Sequence, residues 1–249
     1  MSVLNIAAYR FVSIGDLPAL KSRLAAAACG QGLKGTVLLA QEGINLFLAG
    51  SPEGIEAFIA VLAADARFAG LPIKRSVSAT QPFKKLLVKI KPEIITLRQP
   101  QVNPALTPAP SVAPQVLKQW LDQGHDDAGR ALVLLDTRNA FEVEQGTFDG
   151  AVHPDIEKFS DYPAHVGVLG DLKDKTVVTF CTGGIRCEKA APWMLQAGYE
   201  NVVQLEGGIL KYFEDCGSAH YTGGCFVFDE RRALDGELQP MTTGDQTPM

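Results

Sequence analysis

A cysteine that follows an apolar strand and precedes two glycines and a helix is the feature that most constrains this fold. The strand pattern covers residues 176–180, and the helix pattern begins near Glu188. The connecting loop consists of Cys181, Thr182, Gly183, Gly184, Ile185 and Arg186. Open α/β sheets gather their ligands at the carboxyl ends of their strands, which is where this cysteine lies. The pattern therefore predicts a strand–loop–helix unit with a thiol at its turn.

The same loop predicts a reactive sulfur. The two glycines let successive backbone N–H groups point inward, and the helix adds the positive end of its dipole. An anion-binding nest of this kind lowers the pKa of a thiol and stabilises a thiolate or a persulfide. A buried cysteine in an α/β core is often inert. Here the glycine pair, the strand and the permanent charge of Arg186 favour Cys181 as a catalytic nucleophile.

Three further residues are candidates for supporting the site. Cys187 is either a resolving thiol or a packing residue in the first turn of the helix, and the sequence leaves both open. Asp136 and Arg138 end another apolar strand, where they form either a structural ion pair or part of the active-site wall. After a third strand, the glycines at 207 and 208 predict a close approach to the cysteine loop.

The first part of the chain predicts a ferredoxin-like, split βαβ domain of α+β type over residues 1–99. Strand patterns cover residues 3–12, 34–40, 45–49, 72–79 and 86–90, and helix patterns cover 16–29 and 51–67. Their order through residue 79 is β-α-β-β-α-β, which is that of the split βαβ motif.

The second part predicts a linker and a parallel-sheet α/β domain. Five prolines between Pro100 and Pro114 indicate an extended, semi-rigid linker over residues 100–114. Alternating strands and helices then favour an α/β domain over residues 115–235. The last residues, 236–249, are polar and lack aromatic side chains, so we expect them to be disordered.

Charge is distributed unevenly between the two parts. Residues 1–100 carry a net charge of +6 and residues 101–249 a net charge of −11. The candidate residues for binding a polyanion such as RNA are Lys74, Arg75, Lys84, Lys85, Lys89 and Lys91. Such asymmetry is typical of a domain with a polyanionic partner, although lysines also occur on solvated strand faces.

Several sequence blocks carry a resemblance to a known family. The loop from Cys181 to Arg186, together with residues 134–138, 141–142 and 146–151, resembles the active-site region of rhodaneses. Four further blocks extend the match, at residues 34–45, 181–189, 204–212 and 225–231. With them the chain, from about residue 3 to 235, resembles the bacterial tRNA uridine hydroxylases.

The resemblance implies a rhodanese-like second domain and an enzyme that adds oxygen to C5 of the wobble uridine, giving 5-hydroxyuridine. It implies tRNA, in its anticodon region, as partner and molecular oxygen as co-substrate. A rhodanese-type sulfurtransferase carrying a cysteine persulfide is the alternative enzyme, and a non-catalytic RNA-binding module is a third reading.

The remaining patterns bear on cofactors, metal sites and location in the cell. No Rossmann, Walker or two-His-one-carboxylate pattern is visible, so no cofactor is evident from the residues themselves. Cys216, His220 and Cys225 lack a paired C-x-x-C spacing, so we expect no metal site. Five cysteines, no signal-peptide pattern and no apolar run of roughly 18 residues favour a cytoplasmic protein without a membrane span. No protein partner is inferable.

Overall fold

A computed structural model describes residues 2–170, 172 and 174–241, and the chain divides into two compact units between Thr96 and Leu97. This boundary lies three residues before the one that the sequence suggests. No helix in the described part of the chain is long and apolar enough to cross a membrane.

The first unit is a five-stranded sheet with two helices. Its strands are β1 (Val3–Phe11), β2 (Lys34–Ala40), β3 (Gly43–Gly50), β4 (Lys74–Ser78) and β5 (Leu86–Ile90), and its helices are α1 (Leu17–Gly30) and α2 (Pro52–Ala63). The strand order is β4-β1-β3-β2-β5, and only β2 and β5 pair in parallel. The predicted split βαβ fold is confirmed, with β5 added at one edge.

Residues that alternate along the strands, and so point toward the helices, build the core of this unit. The residues that β1, β2 and β3 direct toward the helices are buried, as are three positions on each helix. They are Ile6, Ala8, Val37, Leu39, Ile44, Leu46, Leu48, Leu20, Leu24, Ala28, Ile55, Phe58 and Leu62. Helix α2 begins where Ser51 accepts a hydrogen bond from Gly54 N at 3.1 Å, with Pro52 in the first turn.

The second unit is built on a four-stranded parallel sheet. The strands of the whole unit are β6 (Ser111–Val112), β7 (Leu132–Asp136), β8 (Gly146–Phe148), β9 (Thr176–Phe180), β10 (Val202–Leu205), β11 (Tyr221–Gly223), β12 (Cys225–Phe226) and β13 (Ala233–Leu234). Its helices are α3 (Pro114–Gln123), α4 (Ala140–Val143), α5 (Tyr162–His165), α6 (Cys187–Gln196) and α7 (Gly208–Cys216). The parallel sheet has the order β6-β10-β9-β7, while β8–β11 and β12–β13 form small antiparallel pairs.

The predicted linker differs from the structure at its carboxyl end. Ser111 and Val112 pair with β10 as the edge strand of the parallel sheet, and Pro114 begins α3. The prediction of a linker through residue 114 is therefore wrong for residues 111–114. Proline misleads here because it is also tolerated beside an edge strand and in the first turn of a helix.

The predicted disordered tail also begins too early. Asp235 N donates to Gln239 O at 3.0 Å, and Met241 N donates to Ala233 O at 3.0 Å. Residues 236–241 therefore form a turn that returns to β13, because backbone hydrogen bonds compensate for the low apolar content. Residues 242–249 lie outside the described residues.

The parallel sheet positions the site. Strands β7, β9 and β10 run in the same direction, so their carboxyl ends lie along one edge of the sheet. That edge carries Asp136 at the end of β7, Cys181 directly after β9 and Glu206 directly after β10. The five residues of β9 are all buried, which fixes the start of the cysteine loop in the core.

Candidate active site

The loop between β9 and α6 closes around the sulfur of Cys181. Gly184 N donates a hydrogen bond to Cys181 Sγ at 3.1 Å. Gly184 has φ +98°, a backbone region that favours glycine. The predicted nest is therefore present, and Gly184 supplies one of its N–H donors.

Helix α7 holds the loop from the other side. Ile209 N donates to Cys181 O at 2.9 Å, and Leu210 N donates to Thr182 O at 3.1 Å. A Cβ on Gly208, whose φ is +66°, would lie 2.3 Å from Cys181 O. Only glycine fits at that distance, so the predicted close approach of this segment to the cysteine loop is confirmed.

The surroundings of Cys181 favour its anion. Burial raises the pKa of this thiol, but three influences lower it more: a hydrogen bond from Cys187, the charge of Arg186 and the N–H groups of Arg186 and Gly184. The net result is a Cys181 pKa of about 6 instead of 9.0. The sulfur is therefore a thiolate at neutral pH, as a nucleophile requires.

Cys187 has the opposite character. It is fully buried, and burial together with the adjacent Cys181 raises its pKa well above the usual range. Thr137 Oγ1 lies 3.7 Å from Cys187 Sγ and donates a hydrogen bond to Phe180 O at 2.9 Å. The structure thus places a protonated thiol beside the Cys181 thiolate, a position that suits either of the roles that the sequence leaves open.

Arg186 closes the loop and is buried. Its Nη2 donates to Glu142 Oε1 at 2.9 Å, and Glu142 is fully buried. Its Nη1 has no hydrogen-bond partner among the described residues. Since a buried guanidinium nitrogen without a partner is costly, this atom is the candidate donor of the site for a substrate oxygen or phosphate.

Glu142 is a site residue to which the sequence pattern assigns no role. Its Oε2 accepts a hydrogen bond from Asn139 N at 3.1 Å, which fixes the start of α4 and leaves Oε1 for Arg186. The sequence Asn139-x-x-Glu142 is a capping box, so the pattern marks the helix start. The pairing with an arginine 44 residues away is a property of the fold.

Asp136 and Arg138 form a fully buried ion pair, with Arg138 Nη2 donating to Asp136 Oδ2 at 2.6 Å. Arg138 also donates to Gly146 O at 2.7 Å, and Thr147 Oγ1 donates to Asp136 Oδ2 at 2.8 Å. These contacts attach β8 to the end of β7. They match the first of the two roles that the sequence leaves open for this pair, which is a structural ion pair.

The predicted RNA-binding residues fall into two groups. Lys74 and Arg75 lie on β4, and Arg75 forms an exposed ion pair with Glu56. The other group is exposed and lies on β5 or directly beside it; its members are Lys84, Lys85, Lys89 and Lys91. Because β4 and β5 are opposite edges of the sheet, roughly 19 Å apart, the structure separates the two groups.

No cluster of three or more His, Cys, Asp or Glu side chains suited to a metal ion occurs among the described residues.

This fold and site define a two-domain protein of the rhodanese class, with a ferredoxin-like unit ahead of the cysteine-loop domain. Residues 3–94 match the family model described as the UPF0176 acylphosphatase like domain, and residues 113–215 match the rhodanese-like domain.

Full-length relatives are more specific. A tRNA uridine(34) hydroxylase of Variovorax paradoxus is 58% identical over 95% of this chain and 90% of its own length. Another from Cupriavidus taiwanensis is 57% identical, over 96% of this chain and 86% of its own. A third, from Burkholderia mallei, is 55% identical over 99% of this chain and 84% of its own. The chain belongs to the tRNA uridine(34) hydroxylase family.

Proposed function

We propose that this protein hydroxylates C5 of the wobble uridine in the anticodon region of tRNA, with molecular oxygen as co-substrate and Cys181 as the reacting thiol. The observation that carries the proposal is the buried Cys181 sulfur, which accepts a hydrogen bond from Gly184 N inside a backbone nest that lowers the pKa of the thiol. Membership of the hydroxylase family supports the reaction type. The exposed lysines of the first unit suit a phosphate backbone. Because the proposed substrate is tRNA, the proposal includes a cytoplasmic location.

The chemistry assigns one task each to Cys181 and Arg186. A thiolate adds to C6 of a uracil ring because the C5–C6 double bond is conjugated with the C4 carbonyl. Addition of Cys181 raises the electron density at C5, where dioxygen then bonds, and Arg186 Nη1 donates to the oxygen that gains charge. The C5 hydroperoxide then transfers its outer oxygen to Cys187 Sγ, which becomes a sulfenic acid, and a hydroxyl stays on C5. C5 loses its proton and Cys181 leaves as a thiolate, which restores the double bond.

The electron balance gives Cys187 a role. One oxygen atom ends as the C5 hydroxyl and the other as water, which requires two electrons beyond those that C5 supplies. Cys187 supplies these two electrons when it becomes a sulfenic acid. The released Cys181 thiolate then attacks that sulfur and expels water, so the pair ends the turnover as a disulfide and is its reductant. An external thiol then reduces the disulfide.

A comparison of product with thiols tests this step. Enzyme reduced beforehand and freed of reductant, given tRNA and air, is expected to lose two titratable thiols for each 5-hydroxyuridine formed. Peptide mass spectrometry is expected to locate the new disulfide at Cys181–Cys187. Product formed with an unchanged thiol count would remove Cys187 from the redox step.

A sulfurtransferase is the second candidate, since the same nest would stabilise a Cys181 persulfide. Two assays on one preparation separate the candidates. The hydroxylase is expected to convert uridine in tRNA under air and not under nitrogen, with little turnover of thiosulfate and cyanide. Brisk sulfur transfer to cyanide with tRNA left unmodified under air would replace the hydroxylase by the sulfurtransferase.

A further inference from the structure

Three phenylalanines form an aromatic cluster on the second unit, and two of them are exposed. The ring centroids of Phe141 and Phe226 are 5.2 Å apart, those of Phe226 and Phe228 are 5.1 Å apart, and those of Phe141 and Phe228 are 6.5 Å apart. All three pairs meet edge to face. The side chains of Phe141 and Phe228 are 44% and 51% exposed. We call these three residues the phenyl cluster.

Exposure of this kind has an energetic cost. Single apolar side chains on a surface are ordinary, but adjacent exposed rings forgo burial that would stabilise the fold. Phe141 and Phe228 are the only aromatic side chains among the exposed large hydrophobic residues of the described chain. The rings therefore offer apolar faces suited to a partner.

The phenyl cluster borders the cysteine loop at both of its ends. Thr182 Oγ1 donates to Phe226 O at 3.3 Å, next to Cys181. At the other end, the guanidinium carbon of Arg186 lies 5.7 Å from the centre of the Phe228 ring. Phe141 directly precedes Glu142, the carboxylate that holds Arg186. One contact network thus connects the rings to the nucleophile.

We propose that the phenyl cluster is a stacking platform for a nucleobase of the single-stranded loop that carries the target uridine. Enzymes that act on a base extrude it from its stack and hold it against aromatic side chains, because every base presents a π-face. A guanidinium stacked on one ring, with a free N–H nearby, adds a donor for a base oxygen or phosphate. The inference rests on the proposed function, since it identifies how that site holds its RNA.

Binding of a labelled anticodon stem-loop RNA, measured by fluorescence anisotropy, tests the platform without requiring turnover. Phe228→Ala and Phe141→Ala are each expected to raise the Kd about 5-fold or more, because each removes a stacking face. Phe228→Tyr is expected to bind like the wild type, and Phe228→Leu like the alanine variant. Leu106→Ala, which removes an exposed apolar side chain outside the cluster, is the control and is expected to leave the Kd unchanged.

RNAs with one abasic position each identify the stacked base. At one position in the loop, loss of the base is expected to abolish the difference between wild type and Phe228→Ala. Two results would overturn the platform: a Kd for Phe228→Ala within about 2-fold of wild type, or Phe228→Leu binding as tightly as Phe228→Tyr. The second result would instead indicate a general apolar surface for a protein partner. Absence of 5-hydroxyuridine from the wild-type reaction would contradict the proposed function and leave these binding results intact.

Discussion

The cysteine loop of the second unit and the basic segment of the first, residues 74–91, organise charge in opposite ways. In the loop, Arg186 and inward-pointing N–H groups converge on one buried sulfur. In the basic segment, exposed side chains lie at two edges of a sheet. Buried electrostatics are strong and little affected by salt, whereas exposed charges are individually weak and screened. We therefore expect single substitutions in the loop to abolish its function. In the basic segment we expect only combined substitutions to weaken tRNA binding.

The largest expected effect is that of Cys181→Ser. Serine keeps the shape of the side chain but removes the low-pKa sulfur, so formation of 5-hydroxyuridine is expected to fall at least about 10³-fold. The measurement is nucleoside mass spectrometry of tRNA from a deletion strain that carries the variant. Cys29→Ser, at an exposed cysteine of the first unit, is the control. Wild-type levels of product from Cys181→Ser would exclude this residue as the nucleophile.

Asp136→Ala tests the buried ion pair between Asp136 and Arg138. The substitution leaves Arg138 as a buried charge without its partner, so we expect it to destabilise the fold by about 3–5 kcal/mol. Chemical denaturation followed by circular dichroism measures the loss. Glu56→Ala breaks an exposed ion pair in the first unit and is expected to leave its stability unchanged. Equal effects of the two substitutions would remove the distinction between buried and exposed pairs.

The two lysine groups are expected to differ from each other. Replacing Lys84, Lys85 and Lys89 by Ala removes three exposed charges at one edge, so tRNA affinity is expected to fall about 10-fold at low salt. The slope of log affinity against log salt is expected to flatten by up to about 2. Lys74→Ala combined with Arg75→Ala is expected to do less, because Arg75 already pairs with Glu56. If the triple variant binds tRNA like the wild type, the RNA surface lies elsewhere.

The smallest expected effect is a shift in pH dependence. Alkylation of Cys181 requires the thiolate, so its rate is expected to rise with pH through about 6 and to level off above pH 7. Cys187→Ala removes a hydrogen-bond donor that lowers the pKa of Cys181, so the midpoint is expected to move to higher pH. Rates of iodoacetamide labelling, read at the Cys181 peptide, measure both curves. An unmoved midpoint would show that Cys187 does not lower the pKa of Cys181.

The sequence predicts the loop well because its geometry is local. The strand 176–180, the glycines and the helix after Arg186 fix one another over a dozen residues, so the nest follows from their order. By contrast, Lys74 and Lys89 are close in sequence but lie at opposite edges of the sheet, because β4 and β5 flank three other strands. Strand order is decided by packing over the whole unit, and no short pattern contains it.

The same reason explains which site residues lack a sequence-based prediction. Glu142 is marked by the sequence only as a helix start, and Phe228 belongs to a block whose role the pattern leaves open. Each acquires its function through Arg186, more than 40 residues away in both directions. The linker prediction errs for the same cause, since residues 111–112 pair with β10, which is distant in sequence. The tail prediction errs for a different cause, since residues 236–241 gain order from a local turn beside β13.

Oxygen isotope labelling of the product tests the central claim most directly. Purified wild-type protein, tRNA, a thiol reductant and ¹⁸O₂ are expected to give 5-hydroxyuridine that carries the heavy oxygen at the wobble position, and Cys181→Ser is expected to give none. Product that carries only ordinary oxygen from water, or labelled product from Cys181→Ser, would contradict a Cys181-dependent reaction with dioxygen.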